Sequence, residues 1–416
     1  MRKRVGTFPE NAFQYRFFHF VLLVITGSIS SFFYWLRNPD VAAGGEAYAL
    51  ALSLARHGTF ANPFFHAGDT GASAHMTPLW PLTMALLMRG LGAWFRPGLF
   101  ILALLANGLN AALLPLISRR LLGDALPGLI AGIAVAVLPV YQLCPAWDAM
   151  FAADLLMICV LVARPRSRSG WLQGALAGIL FLLNPVAGVV FVVLAAWNAP
   201  RRLRFALTAA CVLVAILTPW TIRNYRHFGR FVPLRDDLGT ALYSSNNDCA
   251  MPTLEQNIVS GCHDATHPVN NFAENRMVLR LGEVEYNKVR MRSALGWIGA
   301  NPAPFFSLSL QRFFYFWFPW QRPAVCIVSV FGFVGLGLML RQRRCLGMMF
   351  LCALAAGSGL YYFVEAQDRY RFPVYWCLCL CAGYLVTRFA RPKRELLKNA
   401  NQPLINLSWP DGHSGE

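Results

Sequence analysis

Runs of close to twenty apolar residues dominate this chain, and a run of that length leaves a polypeptide few choices. Phe17 to Leu36, Gly98 to Ser118, Leu126 to Cys144, Pro323 to Leu340, Leu346 to Val364 and Phe372 to Ala390 approach or reach the ~20 residues a helix needs to cross a bilayer. In hydrocarbon each backbone polar group must be satisfied inside its own segment, so α-helix is the expected conformation. Composition agrees, with 56% hydrophobic and 14% charged residues, against roughly 45–50% and about 25% for a soluble domain. No small-residue cleavage site follows the first run and further spans do, so it reads as a retained anchor.

A net charge of +17 would suggest nucleic acid for a soluble protein. Here the basic residues lie mainly in short loops between apolar runs, where they orient a chain in a membrane instead. The patches are Arg2, Lys3 and Arg4; Arg119 and Arg120; Arg164, Arg166 and Arg168; Arg201, Arg202 and Arg204; Arg341, Arg343 and Arg344; and Arg391, Lys393 and Arg394. Placing all six in the cytoplasm fixes the parity between them. Pro78 to Gly92 is short for a span and bounded by Pro and Gly, so it is expected to lie at the outer interface. Trp171 to Asn198 must then hold two short helices broken at Asn184 and Pro185, because Pro removes a donor and disfavours helix before it. With Ala146 to Ala163 and Phe205 to Trp220, about ten transmembrane helices result. The expected fold is an all-α polytopic membrane protein with interfacial helices in the first outer loop. Its parts are a membrane module over residues 1–220 including the loop 37–97, a large outer loop 221–322, C-terminal helices 323–390 and a cytoplasmic tail 391–416.

Fourteen of the twenty acidic residues fall in outer segments and five in inner ones, with Asp154 inside a span. Chemistry is therefore expected outside. From Glu46 to His57 apolar residues recur at helical spacing and Gly58 follows as a stop. Glu46 stands in the first turn, either to complement the helix dipole or to react. His75 is either a substrate contact or a solvated loop histidine. Arg223, Arg226 and Arg230 either meet lipid phosphates or form a positive mouth for an anionic headgroup. Arg369 and Arg371, in a short turn between two spans, suit phosphate through their planar donors, with local pairing to Glu365 or Asp368 as the alternative. Asp148 lies in an outer turn, and Asp154 is an acid at membrane depth. Cys249 and Cys262 share the outer loop in an oxidising compartment, where a disulfide is expected over two free thiols. The other nine cysteines lie in or beside spans, where Cys behaves as a small hydrophobe. No His and Cys cluster has metal-ligand spacing.

Several segments recur together in a known order: G-G-E-A-Y with L-A-R-H-G-T-F and T-P-L-W-P; W-D at Trp147 and Asp148; L-N-P at Asn184 and Pro185; P-W-T-I-R-N-Y with R-F-V-P-L-R-D-D; H-P-V-N-N-F-A-E with L-G-E-V-E-Y; and R-Y-R-F-P. In that series the chain resembles the GT-C glycosyltransferases of the group containing the lipid A aminoarabinose transferase and the protein O-mannosyltransferases, closest to glycosyltransferase family 39. The resemblance covers most of the chain and implies a GT-C fold. It also implies a sugar transferred from a polyprenyl-phosphate donor to a hydroxyl acceptor on the outer face of a bacterial cytoplasmic membrane. It assigns Glu46 as catalytic base, although many members carry an acidic pair there and Gly45 precedes Glu46 here. Candidate substrate contacts are Asp40, Tyr48, His75, Asp148, Arg223, Asn224, Arg369, Tyr370 and Arg371. A divalent metal is compatible with this reading, no cofactor is required by it, and the other partners are membrane lipids and not nucleic acid. The alternative is a lipid or solute transporter or flippase, which would usually carry polar sites near the midplane and paired halves.

Overall fold

The structure, a computed structural model, describes residues 10–37, 45–64, 69–138, 140–141, 144–145, 147–163, 170–198 and 203–390. Asp40 and the basic patches at residues 2–4, 164–168 and 391–394, with Arg201 and Arg202, lie outside them. Eighteen α-helices are described: α1 (Glu10–Arg37), α2 (Glu46–His57), α3 (Leu79–Leu91), α4 (Phe95–Leu122), α5 (Leu126–Val137), α6 (Ala149–Val162), α7 (Trp171–Leu183), α8 (Pro185–Asn198) and α9 (Leu203–Phe228), then α10 (Leu238–Ser245), α11 (Leu254–Val259), α12 (Cys262–Thr266), α13 (Phe272–Leu281), α14 (Glu283–Ala300), α15 (Pro302–Trp317), α16 (Pro323–Gln342), α17 (Arg344–Ser358) and α18 (Phe372–Ala390). Six helical stretches are long and apolar enough to cross a bilayer, and α5 to α8 are apolar but shorter. This is an all-α membrane protein among the described residues, whose β pairing is two isolated bridges, Ala61 with Ala72 and Thr253 with Ala366.

The bundle is organised around α18. Of its apolar stretch 78% is buried, against 11% for α1 and 6% for α9, so α18 sits among other helices while α1 and α9 face outward. Gly335 permits a close approach: a Cβ there would stand 2.0 Å from the Cys381 carbonyl oxygen. The backbones of α16 and α18 thus touch, as small residues allow between membrane helices.

Two sequence expectations shift. α5 stops at Val137 instead of continuing to Cys144, because Leu138 precedes Pro139 and a residue before proline is driven out of the helical region. α9 continues past Trp220 to Phe228, carrying Arg223 and Asn224 on its last turns instead of in a loop. The run Pro78 to Gly92 is a separate helix, α3, ended by Gly92 at φ 53° and a 3-10 turn over Gly92–Trp94 before α4 begins.

Basic side chains tie helix ends together at one end of the bundle. Arg120 on α4 donates to the Ala163 carbonyl that closes α6, and Arg343 donates to Leu122 O at 2.9 Å. The Tyr384 hydroxyl of α18 bonds Gln342 Oε1 of α16 at 3.0 Å. The other end of α6 carries Asp148, which accepts from Asn184 Nδ2 between α7 and α8 at 2.9 Å. A cap made of α2, the segments 58–64 and 69–78, and α10 to α15 covers this second end.

Polar clamps seal the cap. Arg312, fully buried on α15, donates to Asn246 Oδ1 and Phe363 O at 3.1 Å each and to Ser245 O. Asn287 of α14 accepts from Thr240 N and Oγ1 at 3.0 and 2.9 Å, and Gly239 alone lets α10 approach that closely, since a Cβ there would meet Asn287 O at 1.9 Å. A disulfide joins Cys249 to Cys262 with Cα atoms 5.6 Å apart, fixing the start of α12.

Candidate active site

Glu46 opens α2 directly after Gly45, which offers no side-chain cap, so the carboxylate stands at the positive end of the helix. The helix buries Ala47, Leu50 and Ala51, and Gly58 in the left-handed region ends it through its N–H to Leu54 O. Glu46 keeps 22% of its side-chain surface exposed, so a substrate proton can reach it.

Two histidines converge on this carboxylate. His267 follows α12, its backbone N–H bonded to His263 O at 2.9 Å and its ring stacked on His263 at 4.8 Å. Its Nε2 lies 3.9 Å from Glu46 Oε1. His75 is buried, with an unpartnered Nδ1, and its ring lies 5.0 Å from Phe64 and 6.4 Å from His267. The segment carrying His75 is held from three sides. Ala74 N donates to Glu283 Oε1 at 2.6 Å, Asp236 N donates to Ala74 O at 2.8 Å, and Arg223 donates to Ser73 O at 2.6 Å.

Arg369 supplies the positive charge. Its guanidinium lies over the rings of Trp147 and Tyr370, at 5.2 and 5.3 Å, and its Nε is buried without a hydrogen-bond partner. Tyr370 stacks on Tyr361 at 4.1 Å, which fixes the ring beneath the arginine. Glu46 and Asp148 are both within electrostatic reach of Arg369.

Burial alone would raise the Glu46 carboxyl, but His267, His75 and Arg369 outweigh it and hold the group at about 2. Burial lowers His267 to about 3 and also lowers His75, in both cases against the attraction of Glu46. The three groups titrate as a coupled set: the histidines depress Glu46 by charge only at acidic pH, where they are protonated, and at neutral pH the charge that acts on Glu46 is that of Arg369.

Glu46, His75 and His267 offer three metal-ligand atoms within 4.8 Å of one another, which raises the question of a divalent cation. One carboxylate and two imidazoles, with His75 Nδ1 buried and unpartnered, form a donor set that suits zinc or a similar divalent cation. No step is derived through a metal.

Other residues singled out from sequence take different places. Arg371 is only 2% exposed: it donates to Phe316 O at 2.7 Å and pairs with Asp368, so two arginines two positions apart do not form one phosphate seat. Arg223 also donates to Phe60 O at 2.8 Å and lies over Trp220 at 4.9 Å; with its donors on carbonyls it is a clasp. Asn224, buried, donates to Val232 O at 3.0 Å and accepts from Arg223. Tyr48 packs on Phe95 at 6.2 Å and turns away from Glu46, as residues two apart on a helix do. His267 was not singled out, although it lies in the H-P-V-N-N-F-A-E segment; nor was Arg235, which pairs with Asp237 through Nε at 2.8 Å and acts electrostatically on His75. No protein-family model matches this chain, and comparison with curated proteins gives no match.

Proposed function

We propose that this protein is a membrane glycosyltransferase of GT-C type, moving a sugar from a polyprenyl-phosphate donor to a hydroxyl acceptor at the membrane face that carries Glu46. The observation that carries the reading is an ionised, accessible carboxylate within electrostatic reach of a guanidinium with an unpartnered donor, at the end of an apolar helix bundle. The serial order of segments shared with glycosyltransferase family 39 supports it.

In this reading Glu46 takes the acceptor hydroxyl proton as the acceptor oxygen bonds to C1 of the sugar. The bond from C1 to the phosphate oxygen breaks on the opposite side, inverting C1, and the electron pair leaves with the polyprenyl phosphate. Arg369 stabilises that leaving charge. Once an anionic phosphate pairs with Arg369, one of the groups depressing Glu46 is neutralised, and burial pushes the carboxyl upward toward a more effective range. The donor thus tunes the base that uses it.

The test is Glu46→Gln in membranes supplied with radiolabelled polyprenyl-phosphate sugars. Transfer should fall by ~10²- to 10⁴-fold, the usual worth of a general base, while donor binding survives. If Glu46 only complements the helix dipole, the variant loses about 0.3–1 kcal/mol of stability and turnover per folded molecule matches the parent, which would refute the proposal.

A further inference from the structure

A second charged depression lies at the far end of α2. Arg56, Arg89 and Arg96 surround a cavity of about 380 Å³ whose remaining walls include Tyr48, Met88 and Phe95. No acidic side chain lines it. That volume falls in the range of ligand-binding cavities, roughly 300–1,000 Å³.

The arginines differ in role. Arg89 donates from Nε and Nη2 to Ala55 O and Leu54 O, at 3.1 and 3.0 Å, closing the C-terminus of α2 and holding α3 against it. Arg56 and Arg96 are exposed, and among the described residues neither has a carboxylate partner. Gly92, at φ 53°, turns the chain between α3 and α4 and leaves the cavity open where a side chain would stand. By the parity of the basic loops, these cations lie on the membrane face where arginine is least expected.

The rim tells what kind of molecule enters. Leu82 and Leu86, one turn apart on α3, are 41% and 70% exposed, and Trp94 beside the opening is 73% exposed. Such an apolar stripe ending in Trp matches the boundary between acyl chains and headgroups. Arg56 is ten residues along α2 from Glu46, about 15 Å at the helical rise, too far for one phosphate to occupy both places.

We propose that this cavity binds the phosphate of an anionic membrane lipid, with Arg56 and Arg96 on the phosphate oxygens, Arg89 as the fixed wall and the acyl chains along Leu82, Leu86 and Trp94. The site is independent of the chemistry assigned to Glu46. Full-length protein in detergent is titrated with phosphatidylglycerol or phosphatidylcholine, and bound lipid is counted by native mass spectrometry. The parent should prefer phosphatidylglycerol. Arg56→Gln with Arg96→Gln should weaken phosphatidylglycerol roughly 30-fold, from the attraction of two basic residues near an anionic lipid, and leave phosphatidylcholine unchanged. The double Lys variant, which keeps both charges and the Arg89 contacts, should retain most of the affinity. Equal phosphatidylglycerol binding by parent and double Gln variant overturns the proposal. So does a parent that binds inorganic phosphate through these arginines while showing no lipid preference, since the cavity would then serve a free anion.

Discussion

Replacing Glu283 with Gln should remove a pH-dependent weakness in the clamp that holds His75. The Glu283 side chain is buried and accepts from Ala74 N at 2.6 Å. Burial raises its carboxyl from 4.5 to about 8, against the opposing hydrogen bonds from Ser73 and Ala74. The folded protein therefore keeps a proton that the unfolded chain has already lost, and stability falls as pH rises from 4.5 through about 8. A rise from 4.5 to about 8 corresponds to roughly 5 kcal/mol once pH exceeds the folded value. Relaxation of the cap and entry of water would reduce what is observed. Gln keeps an oxygen for Ala74 N–H and carries no charge, so the variant should not show this loss. The readout is hydrogen exchange at the Ala74 amide, taken as the ratio of parent to variant at each pH so that intrinsic exchange cancels. The ratio should be constant below 4.5, rise in favour of parent opening by roughly tenfold per pH unit between 4.5 and about 8, and level off above that. A ratio that stays flat across that range would mean that Glu283 is not the group coupling pH to the His75 segment.

The two neighbouring arginines should separate by assay. Arg371→Lys, which abandons contacts to Phe316 O and Asp368, should lower stability by about 1–3 kcal/mol without weakening donor, whereas Arg369→Lys should weaken donor binding and leave thermal unfolding nearly unchanged. Serine at both Cys249 and Cys262 opens a 13-residue separation and should cost the cap ~3 kcal/mol in the chain-entropy view, seen as a lower melting temperature that reductant no longer changes. In a background cleared of reactive thiols, cysteine at Arg276 should react with an impermeant reagent from outside and cysteine at Arg119 should not; reaction of both from one side would overturn the expected parity.

The parts of this molecule that were legible in sequence are those whose information is local. Apolar spacing and Gly58 marked α2 from Glu46 to His57, and the bounds coincide with the helix found. Apolar runs marked α16 and α18 to within two residues, and α17 except that it ends at Ser358, six residues before the run does, because burial in hydrocarbon is written into consecutive positions. Pairing of Cys249 with Cys262 needed only two thiols in one loop. The end of α5 at Val137 was missed because hydropathy continues through Pro139, while backbone geometry does not. The site itself is not local. Glu46, His75, His267 and Arg369 come from separate connections, and no periodicity encodes which loops meet. Charge also misled: Arg223, Arg369 and Arg371 look alike in sequence, yet one clasps carbonyls, one acts electrostatically on Glu46 and one is buried against Asp368. Only the surroundings of a guanidinium decide among those roles.

That difference governs how variants in the cap should be read. Two groups of the candidate site rest on segments held by buried polar contacts: His75 through Glu283 and Arg223, the chain before Arg369 through Arg312 to Phe363 O and Asn257 to Glu365 at 2.7 Å. Removing one partner of such a contact leaves the other unsatisfied at a cost of about 1–3 kcal/mol. That is larger than the 0.3–1 kcal/mol at stake in the helix dipole beside Glu46. A clamp variant will therefore lower the fraction of protein with an assembled site, and total activity will fall even though no reacting group has changed. Glu46 must behave in the opposite way, with the folded fraction nearly constant and turnover per folded molecule collapsing. Activity normalised to folded protein is thus the quantity that separates a base from a support, and it makes Asn257→Ala the matched control for Glu46→Gln. If the two variants lose the same activity per folded molecule, the carboxylate is one more structural contact in the cap and the chemistry lies elsewhere.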